Sequence, residues 1–238
     1  MLIGGWKAVS MVDIPGKVTF TLWLCGCNLR CPFCHNWKLA QGMECFKLEK
    51  EELIAEVEEN SYLVDYFHVT GGEPLIQWRE FQELLREVRE YLPVSLNSNL
   101  TLVKPLEKII DLVDHVATDL KAPPTELYGL PENVSLKLWQ LFLKGLEIVS
   151  ENSIPLELRI PVSKGFDIQE IMRWIEEGLE KIDTDFYVVL HPLVGPPITN
   201  PRNKEWCNNH CWADREIELI KEKLEERGVK KVIVRKYS

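Results

Sequence analysis

Long hydrophobic runs are missing from this 238-residue chain: nowhere do about 20 apolar residues follow one another, as a membrane span requires. The opening MLIGGWKAVSMVDIPG has neither the basic region nor the apolar run of a secretion signal, so a cytoplasmic protein away from the membrane is expected. Positive charge is also scarce. With 28 Lys and Arg against 37 Asp and Glu, for a net charge of −9, a clustered phosphate-binding face is excluded, which argues against a nucleic-acid partner. No linker, internal repeat or low-complexity tract interrupts the chain, and a single domain over residues 1–238 is expected, a length common for one α/β domain. What is present in unusual concentration is cysteine: seven in all, four of them (Cys25, Cys27, Cys31 and Cys34) within ten residues. In a reducing compartment that crowding points to metal or redox chemistry ahead of disulfides.

After an irregular start, residues 18–24 (VTFTLWL) read as a buried strand, and each later run of that type is separated from the next by a helical pattern. Helical spacing is clearest at Trp78, Phe81, Leu84, Leu85 and Val88 and at Ile168, Ile171, Met172, Ile175 and Leu179. Further helices fit 49–60, 104–111, 135–150 and 213–227; strands fit 66–70, 94–97, 115–119, 156–160, 186–190 and 229–235. Six or seven βα units imply a parallel sheet with helices outside, as an open sheet or a complete or partial barrel. Polar groups gather at the C-terminal ends of these strands: Gly71, Gly72 and Glu73; Asn97 and Ser98; Asp119 and Lys121; Arg159; His191. That is the end at which α/β enzymes place their sites.

The loop after the first buried strand, Cys27-Asn-Leu-Arg-Cys31-Pro-Phe-Cys34, carries three thiols in C-x3-C-x2-C spacing. Tetrahedral zinc wants four ligands and usually pairs its cysteines two by two, although Cys25 or His35 could complete such a set. A [4Fe–4S] cluster held by three cysteines keeps one iron open for a substrate or cofactor, and the spacing favours this reading over zinc or uncoordinated thiols.

The loop resembles the signature of the radical S-adenosylmethionine (SAM) enzymes, with Phe33 in the aromatic position before the last cysteine. The resemblance implies a [4Fe–4S] cluster on Cys27, Cys31 and Cys34, with SAM chelating the fourth iron and yielding, on reduction, a 5′-deoxyadenosyl radical that abstracts hydrogen. Thr70-Gly71-Gly72-Glu73-Pro74 is similar to the family's GGE motif, whose glycines let the backbone approach methionine and whose carboxylate receives its ammonium group. The implied fold is α/β, a partial (βα)6 barrel, here with room for an additional C-terminal strand.

Within that family, Val12-Asp13-Ile14-Pro15-Gly16 and the stretch Gly26–Asn36 resemble the activators of glycyl-radical enzymes, among them those of pyruvate formate-lyase and anaerobic ribonucleotide reductase. Asp119-Leu120-Lys121 resembles a segment whose Asp and Lys contact SAM, and Arg159 and His191 resemble an Arg and a His near the methionine carboxylate and the adenosine. His35, Asn97 and Ser98 fall in supporting positions. Asn97 stands where pyruvate formate-lyase activators carry a carboxylate that helps bind a cation, and an amide is the weaker ligand for a hard ion. The resemblance implies a glycyl-radical enzyme, above all anaerobic ribonucleoside-triphosphate reductase, as protein substrate. It also implies a low-potential donor such as flavodoxin or ferredoxin. A radical SAM enzyme of small molecules, of the deazaguanine-synthesis type, and a non-catalytic metal-binding scaffold are the competing readings.

Cys25, Cys45, Cys207 and Cys211 remain. In Trp206-Cys-Asn-Asn-His-Cys-Trp212 a local disulfide or packed thiols are expected in preference to a second cluster. The stretch 191–212, rich in Pro and Asn, reads as a long irregular loop that faces a partner or gates the site.

Overall fold

The strands expected from the apolar runs form, and they are mainly parallel. A computed structural model describes residues 1–235 and resolves two compact units: Met1–Asn28 with Lys38–Ala117, and Leu29–Trp37 with Thr118 onward. Among the described residues no helix is long and apolar enough to cross a membrane.

In the first unit the start of the chain is not irregular. It forms β1 (Leu2–Ser10), antiparallel to β2 (Thr19–Leu24), with the two-residue β3 (Phe46–Lys47) on its other edge. The strand was concealed because its residues are mostly half-buried or exposed and Gly4 and Gly5 break the apolar period. From β2 the order runs in parallel through β4 (Tyr66–Gly71) and β5 (Val94–Asn97) to β6 (His115–Asp119). Helices α1 (Trp37–Ala40), α2 (Lys50–Asn60), α3 (Trp78–Val88) and α4 (Val103–Ile109) lie between them in sequence. In α3 the expected stripe Phe81, Leu84, Leu85 and Val88 is buried.

One face of these strands is apolar, with Phe20, Leu22, Phe67, Val69, Val94, Leu96 and Val116 fully buried and Phe20 stacked on Phe67. The other face is polar and equally buried. Thr21, His68, Ser95 and His115 sit side by side in register across β2, β4, β5 and β6. The Ser95 hydroxyl lies 2.9 Å from the Nδ1 atoms of both histidines. Asp13 closes the row, accepting from Thr21 at 2.8 Å and from Thr19 at 3.1 Å. Burial pushes its carboxyl up, but hydrogen bonds from Ser10, Thr21 and Thr19 and the charge of His68 more than offset this, leaving its pKa lowered.

The second unit carries β7 (Leu156–Val162), β8 (Phe186–Pro192) and β9 (Val232–Val234), all parallel. Its helices are α5 (Pro124–Leu127), α6 (Glu132–Glu151), α7 (Ile168–Leu179), α8 (Lys204–His210) and α9 (Asp214–Glu226). The α7 helix begins where Asp167 accepts from the backbone N–H groups of Gln169 and Glu170. It buries Ile171, Met172 and Ile175, as its spacing predicts. The stretch 191–212 is less irregular than expected: β8 runs on through Pro192, and Asn203 caps α8 by accepting from Trp206 N–H at 3.0 Å. The additional C-terminal strand is present but shorter than 229–235.

Candidate functional site

The seven cysteines divide into two chemical classes. Cys25 is bridged to Cys45 and Cys207 to Cys211, whereas Cys27, Cys31 and Cys34 take part in neither disulfide. The first bridge occupies Cys25, which the sequence left open as a possible fourth ligand; the second is the local disulfide, one of the two arrangements expected for Cys207 and Cys211 in preference to a second cluster.

In the first unit, the loop leaving β2 is stitched to the Gly-Gly-Glu turn by backbone alone. Gly72 N–H donates to the Leu24 carbonyl at 2.8 Å and Glu73 N–H to the Gly26 carbonyl at 2.7 Å. A Cβ on Gly72 would lie 1.9 Å from the Gly26 oxygen, and Gly71 has φ of +119°, so both positions require glycine. Glu73, completely buried, accepts from Leu75 N–H at 3.0 Å, from the Ser98 hydroxyl at 2.8 Å and from Asn99 N–H at 2.7 Å. Its carboxylate thus fixes the loop after β5. Asn97 donates to Thr70 at 2.9 Å, and Asn99 donates to the Asn28 side chain at 2.9 Å. Asn28, next to Cys27, donates in turn to Thr101 at 2.7 Å. Asn28 and Thr101 join this network without having been given a role by any motif, although Asn28 lies inside the resembling stretch Gly26–Asn36; Asn99 belongs to the polar group expected at the end of its strand.

The second unit holds Cys31 and Cys34 on a segment anchored at both ends. Arg30 N–H donates to the Tyr128 carbonyl at 2.9 Å, while Arg202 N–H donates to the Cys34 carbonyl at 3.1 Å and Asn203 N–H to that of Pro32 at 2.9 Å. Phe33 packs against Trp206 with ring centroids 6.1 Å apart. His35 Nε2 donates to the Val194 carbonyl at 3.3 Å, and burial lowers its pKa. Burial likewise pushes the Cys34 thiol up, opposed chiefly by the Arg202 charge.

The strand-end groups of this unit form a coupled set. Lys121 Nζ lies 3.0 Å from the Asp119 carboxylate. Burial raises the Asp119 pKa, but Lys121, Arg159 and His191 outweigh it and the net shift is down. Arg159, at the centre of β7, donates through Nε to Glu157 at 2.6 Å, and Tyr187 donates to the same carboxylate at 2.8 Å. His191 lies within β8 and not beyond it; burial, with the Arg159 charge second, pushes its pKa down to about 3. Asp119 is therefore close enough to feel the charges of Lys121, Arg159 and His191, and His191 that of Arg159. Glu157, the partner of Arg159, carried no motif.

Among the described residues no three His, Cys, Asp or Glu side chains are gathered around one point as a bound ion requires. Cys27, Cys31 and Cys34 fit an iron–sulfur group by their chemistry: three sulfurs outside the disulfides on eight consecutive residues, one fewer than a closed cluster takes.

A family model described as the Radical SAM superfamily matches residues 22–178, and the chain belongs to that superfamily. Its members use a [4Fe–4S] cluster and SAM. A Methanocaldococcus jannaschii protein with the provisional name glycyl-radical enzyme activating enzyme is 28% identical over 202 residues, covering 79% of this chain and 78% of that protein. A 7-carboxy-7-deazaguanine synthase of Geobacter sulfurreducens is 26% identical over 187 residues, 71% of each chain. Among solved structures, a domain of pyruvate-formate lyase-activating enzyme from Bacteroides vulgatus aligns with a TM-score of 0.52 at 16% identity, over 72% of this chain and 99% of that one. This last likeness is one of fold.

Proposed function

We propose that this radical SAM enzyme places a glycyl radical on a partner protein, anaerobic ribonucleoside-triphosphate reductase being the expected substrate. The observation that carries the reading is the match to the M. jannaschii protein across most of both chains. In this reading residues 1–238 act as one functional domain in the cytoplasm, supplied with electrons by flavodoxin or ferredoxin.

Cys27, Cys31 and Cys34 would hold three irons. When bound, cluster and SAM together supply the hydrogen-abstracting radical. The remaining work falls to the chain itself. Gly71 and Gly72 would let the backbone approach the methionine, and Glu73, which holds the Ser98–Asn99 turn, would receive its ammonium group. Lys121 and Arg159 offset carboxylate charge, with Asp119 orienting Lys121. His191, neutral at physiological pH, presents a ring to the adenosine without adding charge, and Phe33, His35, Asn97 and Ser98 support these groups.

The test is electron paramagnetic resonance of the protein mixed anaerobically with reductant, SAM and the reductase. A glycyl doublet, absent when the reductase glycine is replaced by alanine, is expected. The deazaguanine synthase relative favours a second reading, a small-molecule substrate. Turnover of a nucleoside-like compound with no protein radical would establish it in place of the first, and absence of both iron and SAM cleavage would leave only a scaffold.

A further inference from the structure

The segment between β8 and α8 is fastened along the cysteine loop residue by residue. Val194 accepts from His35, Asn200 accepts from the Trp37 indole at 3.1 Å, Arg202 and Asn203 donate to the Cys34 and Pro32 carbonyls, and Trp206 packs on Phe33. The Cα of Arg202 is thereby fixed beside Cys34. Its side chain does not turn away to solvent: Nε and Nη2 are both buried and neither has a hydrogen-bond partner. These two nitrogens form one edge of the guanidinium, the edge whose two N–H groups point the same way and receive an anion side-on. Buried donors on a charged group are rarely left unfilled, and such a pair calls for an anion. The carboxylates of the same unit near the strand ends are already engaged, Asp119 by Lys121 and Glu157 by Arg159 and Tyr187.

We infer that Arg202 is a positioning residue for the iron–sulfur cluster, its Nε/Nη2 edge being the cationic hydrogen-bond partner of the anionic sulfur face at Cys34. This rests on the reading above that Cys34 ligates the cluster. Hydrogen bonds to sulfur and local charge set the potential of such clusters. Reduction adds negative charge, so a buried cation stabilises the reduced form and raises the potential; its removal lowers it.

The experiment is a redox titration of the anaerobically reconstituted protein without SAM, followed by electron paramagnetic resonance, with iron and sulfide content measured on each sample. R202Q, which keeps a polar side chain but loses the charge, should retain iron and become at least tenfold harder to reduce, a shift of about 59 mV for one electron. R202K should shift less. K204Q, which removes an exposed charge two residues away, should match the wild type. Should R202Q lose its iron while R202K keeps it, the charge requirement is upheld by assembly instead of potential. An unchanged potential in iron-replete R202Q, an equal shift in K204Q, or loss of iron from R202K as well would overturn the inference while leaving the cluster reading intact. A wild-type protein that takes up no iron would overturn both.

Discussion

Arg159 and Glu157, two residues apart on one face of β7, are joined by a 2.6 Å ion pair whose carboxylate is fully buried. Arg159, proposed to meet a carboxylate of SAM, is therefore already holding a carboxylate of its own chain. R159A removes that partner and leaves Glu157 with the Tyr187 hydroxyl, a loss of about 3–5 kcal/mol for breaking a buried pair. E157Q/R159Q, with neither charge, should recover part of it, with a coupling of about 1–3 kcal/mol. Urea unfolding of the wild type, E157Q, R159Q and E157Q/R159Q measures the coupling; strict additivity would mean that the pair is not coupled. SAM affinity is then better read in the double variant than in R159A.

Glu73 offers a similar separation of roles. With three protein hydrogen bonds on its two oxygens, it holds the turn after β5 before any ligand arrives. S98A should cost about 1 kcal/mol and E73Q, which sets an amide N–H against a backbone N–H or a hydroxyl, about 1.5–3 kcal/mol. Thermal unfolding checks both. Equal melting temperatures for E73Q and the wild type would show that the network does not bear on stability.

Much of this was legible in advance, and the failures have physical causes. Buried parallel strands and amphipathic helices write a period into the chain, so 66–70, 94–97, 115–119 and the α3 and α7 stripes are all found where the pattern puts them. The β1 strand is an antiparallel strand with one half-exposed face and two glycines, and its period is lost. Cys27, Cys31 and Cys34 stand out by spacing, and the structure leaves those three un-bridged. Glu157 and Arg202 do not stand out, because their meaning lies in which residue folds against them: Arg202 is 168 positions from Cys34 and is brought there by two backbone hydrogen bonds. The polar row Thr21, His68, Ser95 and His115 was hidden for the same reason, each strand contributing one polar residue that is unremarkable alone.

His191 makes stability depend on pH with a definite sign. Its folded pKa lies at about 3, below the value of about 6.5 for an unfolded histidine. Between the two, the unfolded chain binds a proton that the folded chain refuses, so stability is full above the window and falls as the pH drops through it. The lowered Asp119 carboxyl acts in the same direction at the acid end. H191N should flatten the decline between roughly pH 6.5 and pH 4. Nuclear magnetic resonance of the imidazole provides the direct check: no titration is expected between about pH 5 and pH 8, and a midpoint above 6 would refute the assignment.

The Cys25–Cys45 bridge joins the residue after β2 to the residue before β3, and the closed segment contains Cys27, Cys31 and Cys34 in its sequence. Neither bridged sulfur belongs to the proposed donor set, so the bridge and the cluster should be separable. Closing a loop across 20 positions restricts the unfolded chain by about 3 kcal/mol in the chain-entropy account. C25S/C45S should therefore unfold with that much less stability than the oxidised wild type, and the wild type under strong reductant should approach the double variant. Iron per chain after anaerobic reconstitution should be the same in both, because Cys27, Cys31 and Cys34 are untouched. The Cys207–Cys211 bridge spans only four positions and should add less, C207S/C211S being the comparison. If C25S/C45S instead lost its iron while keeping its fold by circular dichroism, one of those sulfurs would be a ligand, and the division of the seven cysteines into two bridges and one open triad would have to be abandoned.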